Sequence, residues 1–561
     1  MDYTIVLTAA AGQGVETIET LLSKAFKDSN FFVFSDKEYM SRVRGGVNST
    51  TIRVSSKENK GYKQFADFLF LFTKQALEHS KNRISDNTII FGENDFITDE
   101  YKSQFLEVDF LKIAKDLESA VFANTVAFGF ISAMFKIDTD TAYKAIKNHF
   151  LAPDVVQKNI TAYNEGYKLF QDNTYKSIKL NIEKIAEKRY ALLSGSQAVA
   201  FGALSANAKF LSFYPMSPST DVAIFLAHQM DKFDIVVEQF EDEIASVNAA
   251  IGAWFGGTRS FVTTSGGGYA LMEEGVSLAA MSETPLVVHL AQRPAPATGL
   301  PTRTSQSDLN LVLYSSHGDF PRAIFSPRNL EDAFFVMQKA FDIADKHQCV
   351  SYILTDQFFM SMMYNVDTSH LEFIEPQNYI IQTPTDYKRY EFTKNGVSKR
   401  GAPGFGSGIV VANGNEHDEY GDITEDEELT KLMLEKRMQK LNGIKSEALE
   451  PLYIGPETFK NLVVCYGSLY ENIKEALELL GLDDTGLLAY SQLYPLNDKG
   501  LDYLTKAQNL IFVEQNFSGQ FAQLIWREYG IKTNQLINKY TGRQFFVEEL
   551  KERLQNALEG K

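Results

Sequence analysis

Four polar groups recur at the ends of apolar runs between residues 209 and 303. Ser217 sits in the turn Tyr214-Pro215-Met216-Ser217-Pro218-Ser219. Glu243 closes the triplet Glu241-Asp242-Glu243 after Ile235-Val236-Val237. Ser265 heads Ser265-Gly266-Gly267-Gly268 after Phe261-Val262-Thr263-Thr264, and Arg293 follows Leu286-Val287-Val288-His289-Leu290. A hydroxyl, a carboxylate, bare backbone and a planar guanidinium can together orient a ligand, hold a proton, allow close approach and bind a carboxylate. Singly, each has an ordinary role: a helix cap for Ser217, a favourable first-turn charge for Glu243, chain punctuation for the glycines and a surface charge for Arg293. Four such groups at successive junctions of one stretch make a constructed site the better reading.

The elements that must carry them alternate strand and helix. That alternation predicts an α/β fold with a parallel sheet, whose strand-to-helix junctions line up at the carboxyl ends of the strands. The same alternation is expected at both ends of the chain. Residues 3–8 read as a strand, Ala9 to Gly14 as a tight loop, and the stretch from Val15 as a helix with Val15, Ile18, Leu22 and Ala25 on one face. The Gly12-Gln13-Gly14 loop is either a plain βα turn or part of a nucleotide site, and both readings stand. Arg42 and Arg44, beside Gly45-Gly46, are able to hold a phosphate or simply turn the chain. Apolar residues 120–135 read as a core helix, too short to span a bilayer. Residues 461–520 read as a compact α/β domain of strands and helices.

The chain has 561 residues and a net charge of −17, which excludes a basic stripe for nucleic acid. Its two cysteines, Cys349 and Cys465, cannot supply the four thiolates of an iron–sulfur cluster, and its eight histidines show no metal-ligand spacing, so no metal site is expected. Met1-Asp2-Tyr3 lacks the basic stretch of a secretory signal, and a cytoplasmic location away from membranes is expected. Five segments are read: 1–173 as an N-terminal α/β domain, 174–189 as a lysine-rich linker with helical spacing at Ile178, Leu180, Ile182 and Ile185, 190–374 as the central domain, 375–450 as a surface excursion or arm, and 451–561 as the C-terminal domain. Glu416-His417-Asp418-Glu419 reads as a solvated acidic loop.

The Tyr214-Pro215-Met216-Ser217-Pro218-Ser219 turn, Glu241-Asp242-Glu243 and the run from Arg293 through Thr298-Gly299-Leu300-Pro301-Thr302-Arg303 resemble the α subunit of 2-oxoacid:ferredoxin oxidoreductases. The resemblance extends over nearly the whole chain. Gly12-Gln13-Gly14-Val15 and Arg44-Gly45-Gly46 are similar to the γ domain, fused in front as in the two-subunit enzymes. Gly467-Ser468 and Glu514-Gln515-Asn516 are similar to the transketolase-C-like domain. Met216 and Ser217 stand where the family usually has Ile and Thr.

The resemblance implies three α/β domains: a γ-type domain, a thiamine-diphosphate pyrimidine-binding domain and a transketolase-C-like domain. It implies CoA-dependent oxidative decarboxylation of a 2-oxoacid, with 2-oxoglutarate or a broad set of 2-oxoacids favoured, and reduction of ferredoxin. Glu243 matches the carboxylate on the pyrimidine ring nitrogen, with Tyr214, Pro215, Ser265 and Gly266 beside the cofactor. Ser217, Arg293, Thr298 and Arg303 match substrate-facing positions, and Gly12, Gln13, Gly14 and Arg44 a coenzyme A or γ-domain loop. Mg²⁺ and a 4Fe–4S cluster are expected on a separate β subunit in an αβ or (αβ)2 assembly, because neither a Mg²⁺-diphosphate motif nor four cysteines occur here. A non-oxidative thiamine-diphosphate enzyme subunit and a catalytically silent scaffold are the alternatives.

Overall fold

The computed structural model describes residues 1–40, 46–175, 178–186 and 190–560. The cationic stretch 41–45, with Arg44, lies outside the described residues. Two units form: Met1–Ser194 with Ser361–Ser369 and Phe546–Glu549, and Gly195–Met360 with His370–Phe545 and Leu550–Lys561.

In the first unit, strand Asp2–Ala10 is central to an eight-stranded mixed sheet. It pairs in parallel with Phe68–Leu71 and antiparallel with Val47–Ser55. Helix Val15–Asp28 buries Val15, Ile18, Leu22 and Ala25 as its spacing predicts. The apolar helix Ala123–Met134 is buried along its whole length against Pro153–Phe170. The two backbones touch because Gly129 and Gly166 lack side chains: a Cβ on either would run into a carbonyl of the facing helix, Tyr163 or Val126.

The first unit takes in residues 190–194, Ser361–Ser369 and Phe546–Glu549, which the sequence pattern assigns to later segments. Tyr190–Ser194 and Met363–Asp367 pair antiparallel with each other, and Met363–Asp367 pairs with Phe32–Glu38, so both strands belong to the first unit's sheet. Residues 178–186 form no helix. Ile178, Leu180 and Ile182 pack on the first unit's core, a period-two pattern of extended chain rather than a helical one.

The second unit is built on a seven-stranded sheet. Its order is Gln492–Tyr494, Arg322–Phe325, Val350–Asp356, Leu286–Gln292, Ser260–Thr264, Phe210–Phe213 and Val236–Gln239. All pairings are parallel except that of the Gln492–Tyr494 edge. The four central strands are apolar and buried on both faces, as parallel strands covered by helices must be. A five-stranded sheet around Asn461–Tyr466 follows, parallel but for its Leu452–Ile454 edge.

Between the sheets, Ile380–Thr383 pairs with Arg400–Gly406, and a helix spans Glu427–Ser446. Its Lys436 and Lys440 both reach the fully buried Glu283, Lys436 at 2.6 Å. Glu416, expected to be solvated, is held by a two-toothed bond from Arg437 at 2.9 and 2.7 Å, and His417 is buried against Tyr390.

Candidate active site

Phe210–Phe213, Val236–Gln239, Ser260–Thr264 and Leu286–Gln292 all point their carboxyl ends the same way, and each delivers one of the four polar groups. Glu243 opens the helix Glu243–Phe255, but it does not cap it. Asp242 does: its carboxylate accepts the amide of Ala245 at 2.7 Å. Glu243 is 3 % exposed, and its Oε1 has no hydrogen-bond partner among the described residues. Burial pushes its carboxyl group above the ordinary glutamate range, and Asp242 adds to the effect, against a bond from its own amide. A buried carboxylate oxygen left unpartnered costs stability, so the fold keeps it at a loss that a ligand can recover.

Ser265-Gly266-Gly267-Gly268, expected as a turn, is instead an N-cap and the first turn of helix Gly266–Met281. The glycines are there for space. A Cβ on Gly268 would lie 2.5 Å from Glu243 Oε1 and would also strike Thr264. A Cβ on Gly266 would lie 2.6 Å from Asp308 Oδ2. Ser265 Oγ and Asp308 Oδ2 are buried and unpartnered like Glu243 Oε1, so three orphaned polar atoms gather at one helix start. The free amides of that first turn add positive potential to the same place.

Arg293 follows strand Leu286–Gln292 and donates from Nη1 to the Ser217 carbonyl at 2.7 Å. This bond ties the first and last of the sequence motifs together and uses one of the guanidinium's five donors. Ser217, Tyr214 and Pro215 are exposed at the mouth of this turn. Thr298 is exposed on the loop after Arg293, and Arg303 Nη1 donates to the Thr302 carbonyl at 3.0 Å. Gly299 closes that loop at φ +53°, where a Cβ would strike the Pro294 carbonyl.

Asp308 is the residue that motif reading misses. It is 4 % exposed, and burial pushes its carboxyl group up to about 7 while the charge of Arg293 pulls it down. It stands at the N-cap position of the short helix Leu309–Tyr314, where its side chain makes no capping bond, and the one local signal is a single acid after Ser305-Gln306-Ser307. His289, within the strand leading to Arg293, is buried between the hydroxyls of Thr263 and Thr355 at 2.8 and 2.9 Å. Burial lowers its pKa to about 3, so it serves as a neutral structural link.

In the first unit, Gly12 and Gly14 adopt φ +88° and +73°. Gln13 turns its side chain back, Oε1 accepting the amide of Ala10 at 2.8 Å, and its carbonyl accepts from Asn124 Nδ2 at 2.7 Å. Beside this loop opens a cavity of about 560 Å³ lined by Gly12, Gly14, Leu111, Phe122, Asn124 and Phe150, among others.

Two family models match the chain. One describes the thiamine-diphosphate-binding domain of pyruvate flavodoxin/ferredoxin oxidoreductases, over residues 201–435, and the other pyruvate ferredoxin/flavodoxin oxidoreductases, over residues 4–169. A 2-oxoacid:ferredoxin oxidoreductase α subunit from a Sulfolobus species is 28 % identical, covering 99 % of this chain and 96 % of the relative. The 2-oxoglutarate synthase subunit KorA of Methanocaldococcus jannaschii is 32 % identical over 58 % of this chain and 88 % of its own length. The corresponding Archaeoglobus fulgidus subunit is 30 % identical over 60 % of this chain and 90 % of its own length. The structure of a Magnetococcus marinus 2-oxoglutarate:ferredoxin oxidoreductase with 2-oxoglutarate, coenzyme A and succinyl-CoA bound superimposes with a TM-score of 0.91 at 27 % identity, covering 99 % of both chains. With the site's geometry, these likenesses establish that the chain belongs to the 2-oxoacid:ferredoxin oxidoreductase family, as an α subunit.

Proposed function

We propose that this subunit supplies the pyrimidine-binding half of a thiamine diphosphate site and the arginine that receives a 2-oxoacid carboxylate. The reaction is CoA-dependent oxidative decarboxylation to an acyl-CoA and CO2, with ferredoxin as electron acceptor. The observation that carries the assignment is Glu243: buried, relieved of capping duty by Asp242, with Oε1 unpartnered in a cradle that a Cβ on Gly268 would fill. That donor set fits a ring nitrogen that must share a proton with a carboxylate. When bound, thiamine diphosphate supplies the electron sink that lets a 2-oxoacid lose CO2.

The chain's own residues place and shield. Glu243 holds a proton at Oε1 toward the pyrimidine ring. Ser265 and Gly266, at the helix start, line the same pocket, and Tyr214 and Pro215 close its exposed side. Arg293, steadied by the Ser217 carbonyl, presents its fork to the substrate carboxylate, a match of plane to plane that lysine cannot give. The Ser217 hydroxyl, Thr298 and Arg303 border the substrate from the two adjacent loops. Gly12, Gln13 and Gly14, with the cavity beside them, are the proposed coenzyme A contact; Arg44, which the resemblance adds to that set, lies outside the described residues.

The remaining parts belong to a partner. Cys349 and Cys465 are buried thiols pushed up to about 12, so neither serves as a thiolate ligand as folded. We place Mg²⁺ and the 4Fe–4S cluster on a β subunit, in an αβ or (αβ)2 assembly, in the cytoplasm, where both thiols stay reduced. Among the described residues no helix is long and apolar enough to cross a membrane. The relatives and the solved structure with 2-oxoglutarate bound favour 2-oxoglutarate, or a broad set of 2-oxoacids, as substrate.

The test is co-expression with a cysteine-rich β subunit and an assay of CoA-dependent dye reduction across a panel of 2-oxoacids. Reduction with 2-oxoglutarate is expected. A cluster-bearing complex that decarboxylates without reducing the dye, or that does neither, would return the chain to the non-oxidative or silent readings.

A further inference from the structure

We propose that Asp308 is a positioning residue of the carboxylate subsite: packed against Gly266 and facing the charge of Arg293, it balances that guanidinium before substrate arrives and yields it to the substrate's carboxylate. The inference rests on the reading of Arg293 given above and adds to it a proton that moves on binding.

The geometry is that of a group held in place and left unsatisfied. The Asp308 amide donates to Gln292 Oε1 at 3.0 Å, and Gln292 Nε2 donates in turn to the Thr355 carbonyl at 3.2 Å. The residue is therefore tied to the carboxyl ends of two sheet strands, beside the arginine that follows Gln292. Its Oδ2 is buried without a partner among the described residues, against a helix start whose first residue, Gly266, has no Cβ to displace it. A carboxylate kept only to shape the loop would have been given its hydrogen bonds.

Few other charges reach it. Arg293 faces it from the strand end. Tyr466, on strand Asn461–Tyr466, is buried; burial first, and then the carboxylates of Glu514, Asp356 and Asp308, keep its hydroxyl protonated. Glu243 lies across the first helix turn, at Gly268. Arg293 is thus the cation that favours an ionised Asp308, and Asp308 in turn favours the charged guanidinium, which burial opposes.

The consequence is a linkage. Burial and Arg293 together leave Asp308 titrating at about 7. A 2-oxoacid is anionic throughout the neutral range, and its carboxylate on Arg293 puts a second negative charge near Asp308, which favours the protonated acid. Binding of the anion therefore draws a proton from solvent, and release of the anion returns it. Substrate affinity then weakens as pH rises through the neutral range, by about tenfold for each unit by which the bound anion raises the Asp308 titration.

The test uses the reconstituted complex and a 2-oxoacid analogue that binds without losing CO2. Calorimetric titration in buffers of different ionisation enthalpy counts protons taken up per site, and KM for the substrate is measured from about pH 6 to pH 8.5. The wild-type complex is expected to take up a fraction of a proton near neutrality and to show KM rising roughly tenfold with pH. Asp308→Asn, which keeps shape and removes the titration, is expected to lose both effects, binding as well at the upper pH as the wild type does at the lower. Wild-type binding without proton uptake overturns the proposal and needs no variant. Uptake that persists in a folded Asp308→Asn complex overturns it too. Analogue binding undiminished in Arg293→Ala would instead remove the assignment of Arg293 itself, and the Asp308 proposal with it. Loss of binding in Arg293→Ala together with an unaltered pH profile in Asp308→Asn leaves Arg293 standing and sinks Asp308 alone.

Discussion

Arg293 donates to the main-chain carbonyl of Ser217 across 2.7 Å, so the guanidinium is held by backbone and not by an acidic side chain. That distinction matters. A carboxylate in direct contact would compete with an incoming substrate for the same donors, whereas a carbonyl uses one donor and leaves the positive charge to the ligand.

Arg293→Ala is therefore expected to raise KM for the 2-oxoacid strongly. The loss of a hydrogen bond to a charged group, about 1.5–3 kcal/mol, corresponds to roughly ten- to a hundredfold. Binding of thiamine diphosphate, measured by cofactor retention on gel filtration, should be nearly unchanged. Arg293→Lys should recover only part of KM, since the two-toothed geometry is gone. Unaltered KM in the alanine variant would shift the role to Arg303.

Glu243→Gln separates proton chemistry from helix structure. The helix is capped by Asp242, so replacing Glu243 by its amide should leave thermal stability near that of the wild type. Turnover should fall by orders of magnitude, because the charge that holds a proton toward the pyrimidine ring is gone. Exchange of the thiazolium C2 proton for deuterium, followed by NMR in the complex without substrate, should slow in parallel. Asp242→Ala should do the opposite, costing about 1 kcal/mol of stability with a milder effect on exchange. Wild-type exchange in Glu243→Gln would assign the chemistry to another group.

Much of this site is written in the chain and part of it is not. The four junctions are readable because each apolar run ends where a polar residue begins, and a parallel sheet aligns such ends wherever it forms. Asp308 is not readable, since Gln292 and Gly266 fix its place from elsewhere in the chain. Strands Tyr190–Ser194 and Met363–Asp367 pair with each other across more than a hundred and fifty intervening residues, which no local pattern encodes. Lys436 and Lys440 have the spacing of a solvated helix face, and only the burial of Glu283 beneath them makes that face internal.

That buried cluster makes a stability prediction. Burial alone would raise the Glu283 carboxyl group, but Lys440, Lys436 and Arg389 outweigh it and hold the group far below the ordinary range. Its contribution is thus fully present above the unfolded-state value of about 4.3 and is lost only as pH falls below it. Glu283→Gln leaves buried cations without their anion and is expected to cost about 3–5 kcal/mol at neutral pH. Denaturant unfolding at pH 7 and at about pH 3 should show the difference between the wild type and the variant narrowing with acid. An equal difference at both values would mean that the carboxylate's shape, and not its charge, secures the helix Glu427–Ser446.

Gly268→Ala asks whether the bare helix start is there for the ligand. Within a helix, alanine is more favourable than glycine by about 1 kcal/mol, so on propensity alone the variant should fold at least as well. The added Cβ, however, would stand 2.5 Å from Glu243 Oε1, inside contact distance, and would press on Thr264 as well. Glu243 is the softer of the two obstacles, since its Oε1 makes no bond that would hold it in place. The carboxylate should therefore swing away from the position in which it meets a pyrimidine ring. We expect a folded protein with a lowered melting temperature from the contact with buried Thr264, weakened retention of thiamine diphosphate, and turnover reduced at least tenfold, the size of effect that small misplacements of a catalytic group produce. Gly267→Ala, one residue earlier on the same turn, is the control: its Cβ would meet only the Ala297 carbonyl at 3.8 Å, an ordinary contact. If both variants behaved alike, whether both active or both inactive, the cradle between Gly268 and Glu243 would lose its significance. If Gly268→Ala alone lost the cofactor while still folding cooperatively, the glycine would be explained by what binds there as well as by how the helix packs.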